Sequence, residues 1–472
     1  MYLKLLISAF LLNICTVFAQ NGADGTWDTT FFIGSGVNGD MKVIHQLANG
    51  KIIIAGLFTE YNGFQVNQIA RLYPDGTLDT TFEAPEITTG IGDIFVDTDG
   101  KIIISGYEIG LIRLNTNGTI DDSFQSPVES SVYLGPKIAK QGDKYIITGV
   151  SLQGEVSGNI YAGIARLNND GSLDETFHST GFGPGIGNNS GWPDIVKTVV
   201  LPNNKLLALG HFGSYNGTNA INIVRLNENG DMDATFNIAS GSMWGMVRDA
   251  VELSDGGYVI TGTFVYLNGT AQQIFTSKLD ANGSIDPNFN IELGYDVAGV
   301  SIARQADGKI LVAGWINTFN NPGYHLVRIL ENGDADPDFV LTSVFNGPIE
   351  EIFLQDDEKI LVAGRFTQFG NITRNKVGRL NNGVKLSIPS FNVNDIVIYP
   401  NPVKDKFLVK DEIFNNAASI IINIFDMGGS LLYSNEIDKT SLGIDISAFK
   451  SGFYFVKLTN GKTSVIKKII KL

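Results

Sequence analysis

Seven near-copies of one segment constrain this chain more than any other feature. The signature Arg-Leu-x-x-[Asn/Asp]-Gly-x-x-Asp-x-x-Phe recurs about every 51 residues. Its acidic half falls at Asp28, Asp79, Asp121, Asp174, Asp233, Asp286 and Asp336, each three residues before a phenylalanine. Its basic half falls at Arg71, Arg113, Arg166, Arg225, Lys278, Arg328 and Arg379. An apolar run ending in glycine, such as Ile310 to Gly314, accompanies every copy. A fixed period of this length marks an architecture in which each copy buries its apolar face only against its neighbours.

Each copy reads as four strands. An alternating stretch such as Ile349 to Leu354 leads through a tight turn, Ala306-Asp-Gly308 in another copy, into the apolar second strand. A variable loop precedes a third strand such as Gln68 to Leu72, and Pro74-Asp-Gly76 opens the fourth. Asp-Gly and Asn-Gly supply the positive φ that tight hairpins require. No stretch sustains a 3.6-residue apolar period, so helices are not expected. Four strands per ~50 residues predict an all-β, seven-bladed β-propeller. The chain begins with an Asp-x-x-Phe half that has no Arg-Leu before it, and the repeats end on Arg379-Leu380 with no Asp-x-x-Phe after. Joining the two predicts a ring closed by the N-terminal strand, which leaves no unpaired sheet edge. These copies resemble the delta-60 repeat family of β-propeller-like secreted proteins over most of residues 24–383. The second copy, which is short, and Lys278 depart from the pattern. The resemblance implies a propeller at the cell exterior and no particular reaction.

The ends differ from the middle. One lysine precedes an apolar run from Leu5 to Phe18 that is too short to span a membrane. Residues 1–19 are read as a signal peptide. Its removal would take away Cys15, the single cysteine, and with it any disulfide or cysteine zinc site. A propeller over 20–387, a linker at 388–394 and a tail at 395–472 complete the predicted organisation. Residues 20–394 hold 23 basic and 41 acidic residues, whereas 395–472 hold 10 lysines and 8 acids. No transmembrane segment is expected in the mature chain. The tail carries Tyr399, Pro400, Asn401 and Pro402, then Ile420 to Gly429, Gly452 to Leu458 and a terminal Val465 to Ile470. Alternation and the Asn460-Gly461 turn suggest a small Ig-like β-sandwich. The order of motifs resembles the type A C-terminal sorting domain of the type IX secretion system. That resemblance implies the secretion machinery as a partner, passage through the periplasm, and a secreted or outer cell-surface location.

Chemical motifs are sparse. A net charge of −15 argues against nucleic acid. Gly34-Ser-Gly36-Val-Asn-Gly39 is read as a loop, since no helix follows to hold a phosphate. His45, His178, His211 and His325 are scattered without metal-ligand spacing. No cofactor is expected. Turns such as Asn115-x-Asn117-Gly-x-x-Asp121 could offer oxygens to calcium, but their recurrence favours a structural hairpin in which Asp accepts backbone N–H bonds. The repeated Arg and Asp lie on adjoining strands, where an exposed pair would contribute only ~0–1 kcal/mol. Acids in or near the inner strands, namely Asp93, Asp194, Asp249, Glu350 and Glu351, could serve a paired-carboxylate hydrolase. Long, unequal loops carry Trp192, Trp244, Trp315 and Tyr133, which are candidate ligand-binding aromatics. Tyr61 and Tyr215, in recurring Tyr-Asn-Gly pieces, are read as loop pins. The sequence therefore points to a secreted or surface binding propeller for a glycan or protein, with a polysaccharide-active hydrolase or lyase as the alternative.

Overall fold

A computed structural model describes residues 24–382 and 398–472, apart from 88, 107–108, 129–135, 157–158, 185–192, 237–242, 268–270, 273–275, 290–295, 319–320, 323–324, 410–418, 427–430, 439–442 and 461–462. The predicted signal peptide, the linker, Trp192 and Tyr133 lie outside the described residues. The chain divides into two compact units, 1–383 and 384–472. Among the described residues there is no helix.

In the larger unit the second strand of each repeat pairs antiparallel with the first on one side and the third on the other. The first strands of repeats 1 to 7 are Asp40–Gln46, Ile91–Val96, Lys137–Gln141, Asp194–Val200, Met243–Glu252, Asp296–Arg304 and Ile349–Leu354. Each lies against the next, and Ile349–Leu354 lies against Asp40–Gln46. The second strands are nearly all apolar, as in Ile360–Gly364, because neighbours cover both of their faces. The clusters they build straddle adjoining repeats: Leu207 and Leu209 of repeat 4 pack with Val247 and Ile260 of repeat 5.

The fourth strand is shorter than the sequence suggests. It is a single bridge per repeat, Leu72 to Leu78 in the first. Asp79 ends it by donating its N–H to the Arg71 carbonyl, and its side chain then turns the chain. Repeat 7 receives the same contacts from the opposite end of the sequence. Trp27 bridges Leu380, and the Asp28 N–H donates to the Arg379 carbonyl.

The smaller unit has sheets of three and four strands around one shared core. Phe407 and Ile444 from the first sheet meet Ile422, Val456 and Ile469 from the second. Asn401 uses its side chain as a peptide surrogate on the last strand, Thr463–Lys471. Its Nδ2 donates to the Lys468 carbonyl, and its Oδ1 accepts from the Ile470 N–H, both at 2.9 Å. Pro400 and Pro402 flank it, and Tyr399 is exposed.

Candidate functional site

The recurring Asp proves to be the hub of a buried ion network. In six repeats its Oδ2 accepts from an Arg Nε at 2.6–2.7 Å and from a Lys Nζ at 2.7–3.0 Å. Its Oδ1 caps the backbone N–H two residues on, as from Asp79 to Thr81. The guanidinium stacks on the signature Phe with its carbon 4.6–4.9 Å from the ring centre. The Arg Nη1 donates forward to the turn of the next repeat, from Arg113 to the Asn169 carbonyl and from Arg379 to that of Pro74. The expectation of an exposed, weak pair is therefore corrected. Burial alone would raise the Asp79 carboxyl, but donors on Lys51, Thr81 and Arg71 hold it well below the usual carboxylate range. Repeat 5 departs: Tyr258 replaces the lysine and Lys278 the arginine. Asp286 is half-exposed, and among the described residues it has no cation within ion-pair distance.

A second set of charges lines the interior. Six first strands carry a bulge, and the residue ending it is Val43, Asp93, Lys197, Asp249, Ser301 or Glu351. Lys137 opens the seventh. Each acidic or hydroxyl group accepts a backbone N–H from the next first strand: Glu351 from Ile44, Asp93 from Ile138, Asp249 from Ile302 and Ser301 from Ile352. Inner edges would otherwise leave such donors unpaired. Glu351 also senses Lys197 of repeat 4 and Asp93 of repeat 2, as groups facing a common lumen do. Burial pushes its carboxyl up to about 7, against the pull of Lys197. Burial likewise lowers His45, which meets the Phe353 ring edge-on at 4.6 Å, to about 4.

A third set occupies the rim. The glycine ending the apolar run of the second strand is followed by Leu57, His211, Thr263, Trp315 or Arg365 in five repeats, and the next residue is a buried Phe58, Phe212, Phe264, Ile316 or Phe366. Trp315 retains 50% of its surface and Leu57 53%. Arg365 is half-exposed and holds Glu350 at 2.8 Å. A side chain on Gly90, which precedes the first strand of repeat 2, would collide with Leu57, so this position lies against the start of the next repeat.

The aromatic candidates separate. Trp315 lies in a strand, Ile310–Thr318, opposite Ala298, not in a loop. Trp244 is also a strand residue, paired with Val265. Tyr61 and Tyr215 are fully buried, with hydroxyls on the carbonyls of Gly76 and Gly230. The sequence singled out Asp93, Asp249, Glu351 and Trp315 one by one, but not the shared bulge and rim positions they occupy. Aligning the copies on the second-strand glycine brings out the rim in five of them as a variable residue between the glycine and an apolar residue, whereas Glu108 and Ser151 take the apolar residue's place in the second and third copies.

The tail, residues 397–472, matches the secretion system C-terminal sorting domain, of the type IX system, so the protein is delivered to the outer cell surface or secreted. An ulvan lyase from Nonlabens ulvanivorans is 30% identical over 81 residues, 17% of this chain; the match spans only 15% of that relative's length. Among solved structures, the extracellular domain of a putative hybrid two component system from B. thetaiotaomicron shares 11% identity. It covers 92% of this chain and 56% of that one, with a TM-score of 0.41. YCF48 bound to D1 peptide shares 13%, covering 74% and 96%, with a TM-score of 0.43. Seven segments, 47–82, 98–124, 141–177, 201–236, 253–289, 305–339 and 355–383, match one family in register with the signature, and the chain belongs to that family, described as the Domain of unknown function (DUF5122) beta-propeller.

Proposed function

We propose that the protein is a binding propeller that works outside the cell and takes its ligand at the rim of the channel. One observation carries this reading. A repeated structure repeats the residues its framework needs, as the glycine and the buried residue on either side of the rim position are repeated in five copies. The residue between them differs in each of these five copies, Leu, His, Thr, Trp and Arg, and all but the half-buried His211 are exposed. Recognition groups concentrate at such variable positions on a rigid support. Trp315 and Arg365, from adjoining repeats, are residue types enriched at binding hot spots. Mature protein would be screened on glycan and protein arrays, and the bound ligand titrated against Trp315→Ala with Arg365→Ala. A weakening of about thirtyfold, corresponding to ~2 kcal/mol, with an unchanged melting temperature is expected. Unchanged affinity for every ligand found would overturn the rim reading.

The alternative, a polysaccharide-active hydrolase or lyase, draws support from Glu351, a lumenal acid raised to about 7, the range in which a carboxyl exchanges protons at neutral pH. Against it, each lumenal acid already accepts a neighbour's N–H. Product release from a bound polysaccharide that disappears in Glu351→Gln would favour the enzyme.

A further inference from the structure

The charged ring inside the channel sits at one level. In every repeat the lumenal residue of the first strand pairs with the residue just before the second-strand glycine, as Lys137 does with Thr148, Lys197 with Leu209 and Glu351 with Ala363. The rim residue stands two positions further along the second strand, so the ring lies just below the channel mouth. The first strands follow one another round the channel in chain order, and the seventh meets the first. Counting three repeats from Glu351 in one direction reaches Lys137 of repeat 3, and in the other Lys197 of repeat 4. Glu351 therefore faces the two lysines across the channel.

The facing walls carry opposite charges that the protein itself leaves loosely matched. This chain holds Lys–Asp pairs at 2.7–3.0 Å in the six buried hubs. In the lumen the same pairing is slack: Lys197 Nζ stands 3.4 Å from Asp249 and Lys137 Nζ 3.7 Å from Asp93. The two lysines keep 46% and 35% of their side chains open to solvent, so water reaches this level of the channel. An ammonium has three N–H donors, and that of Lys137 uses one on the Gly92 carbonyl at 2.9 Å. On the far wall Glu351 is half-buried between Ser301 and Val43. It accepts the Ile44 N–H, but among the described residues it has no cation within ion-pair distance, Arg365 of the same repeat being held by Glu350. The walls feel each other. Asp249 raises the Lys197 ammonium most, burial opposes that rise, and Glu351 and Asp93 add to it.

Such a channel selects its ligand by charge. An anion alone would satisfy the lysines but add to the carboxylates of Asp93, Asp249 and Glu351. A cation alone would satisfy Glu351 but meet two ammonium groups. A molecule with a carboxylate at one end and an ammonium at the other satisfies both walls, each through charge-assisted hydrogen bonds. We propose that the channel, just below the rim, binds a small zwitterion whose carboxylate meets Lys137 and Lys197 and whose ammonium meets Glu351. This site is separate from the rim and does not depend on what binds there.

Glycine peptides test this with no side chains to recognise, since each added residue lengthens the span between the end charges by up to ~3.5 Å. The mature full chain would be titrated calorimetrically with glycine to pentaglycine carrying both ends free, and with the same peptides acetylated at the N-terminus or amidated at the C-terminus. One free-ended length should bind best. Each cap should weaken it about tenfold or more, because each removes a hydrogen bond between charged groups. Glu351→Gln and Lys197→Met should weaken it as much. Both variants should fold, since Gln still accepts from Ile44, and Asp249 keeps the Ala250 and Ile302 N–H groups without Lys197. Should either fail to fold, the capped peptides on the wild-type chain carry the test. Absence of binding by every free-ended peptide overturns the site, as does a capped peptide that binds as tightly as the free one. Tighter binding of the amidated peptide by Lys197→Met would leave a cation site alone, and tighter binding of the acetylated peptide by Glu351→Gln an anion site alone; either overturns the zwitterion. Should Trp315→Ala with Arg365→Ala abolish peptide binding, the peptide sits on the rim, and the channel site falls while the rim reading stands.

Discussion

Asp79 and Asp286 hold the same place in two repeats and should behave very differently. Asp79 is fully buried between Lys51 and Arg71, so Asp79→Asn leaves a buried guanidinium short of its counter-charge. Breaking such a pair costs about 3 kcal/mol or more. Asp286 has no such partner, and Asp286→Asn should change stability by no more than about 1 kcal/mol. Urea denaturation at pH 7 compares the two. The sign with pH follows from the direction of the shift. A carboxyl depressed on folding contributes its stability above the ordinary carboxylate range, near pH 4, and loses it as the pH falls toward the depressed value. The gap between wild type and Asp79→Asn should therefore be full at neutral pH and narrow below about pH 4. Glu351 runs the other way. Its folded value of about 7 lies above the ordinary 4.5, so its contribution is lost as the pH rises between them. Glu351→Gln should flatten the fall in melting temperature across that interval.

At the scale of elements, Trp27 and Gly378 set the N-terminal segment on repeat 7. The other six repeats place Leu78, Ile120, Leu173, Met232, Ile285 or Ala335 where Trp27 stands. Their third strands carry a side chain where repeat 7 has glycine, Ala70 in the first copy. A Cβ on Gly378 would come within 1.7 Å of the Trp27 ring. Large against small is thus traded for medium against medium. Gly378→Ala and Trp27→Leu should each lower the melting temperature, and together they should recover part of the loss, as coupled neighbours do. Strictly additive losses would show that this segment does not complete the seventh repeat. The same scale explains what the sequence made legible. Strand order, turn positions and the Asp-x-x-Phe hub follow from short-range patterns that repeat seven times. Trp244 was misread because Gly245 beside it resembles a loop residue. Gly245 is instead required by the close pass of the neighbouring strand: its φ is +98°, and a Cβ would lie 1.9 Å from the Thr263 carbonyl oxygen. The interior ring joins residues from different repeats, and no local pattern encodes that meeting.

Over the whole molecule, the two units have separate cores and opposite charge balance. Deleting 395–472 should therefore leave a propeller that folds, with its melting transition retained, but accumulates in the periplasm. Cell fractionation checks this, and normal surface delivery of the truncated chain would contradict a sorting role for the tail. Within the propeller, the forward reach of each arginine has a further consequence. Arg71, Arg113, Arg166, Arg225 and Arg379 all seek a main-chain carbonyl in the following turn, not a particular side chain. Every such joint therefore presents the same plug and the same socket, whatever the surface residues of the copies it links. Exchanging one copy for another at these joints therefore leaves this contact intact. Arg328, which grips the side chains of Asn382 and Asp24, and Lys278, which makes no forward bond among the described residues, mark two joints where a copy could not be exchanged so freely.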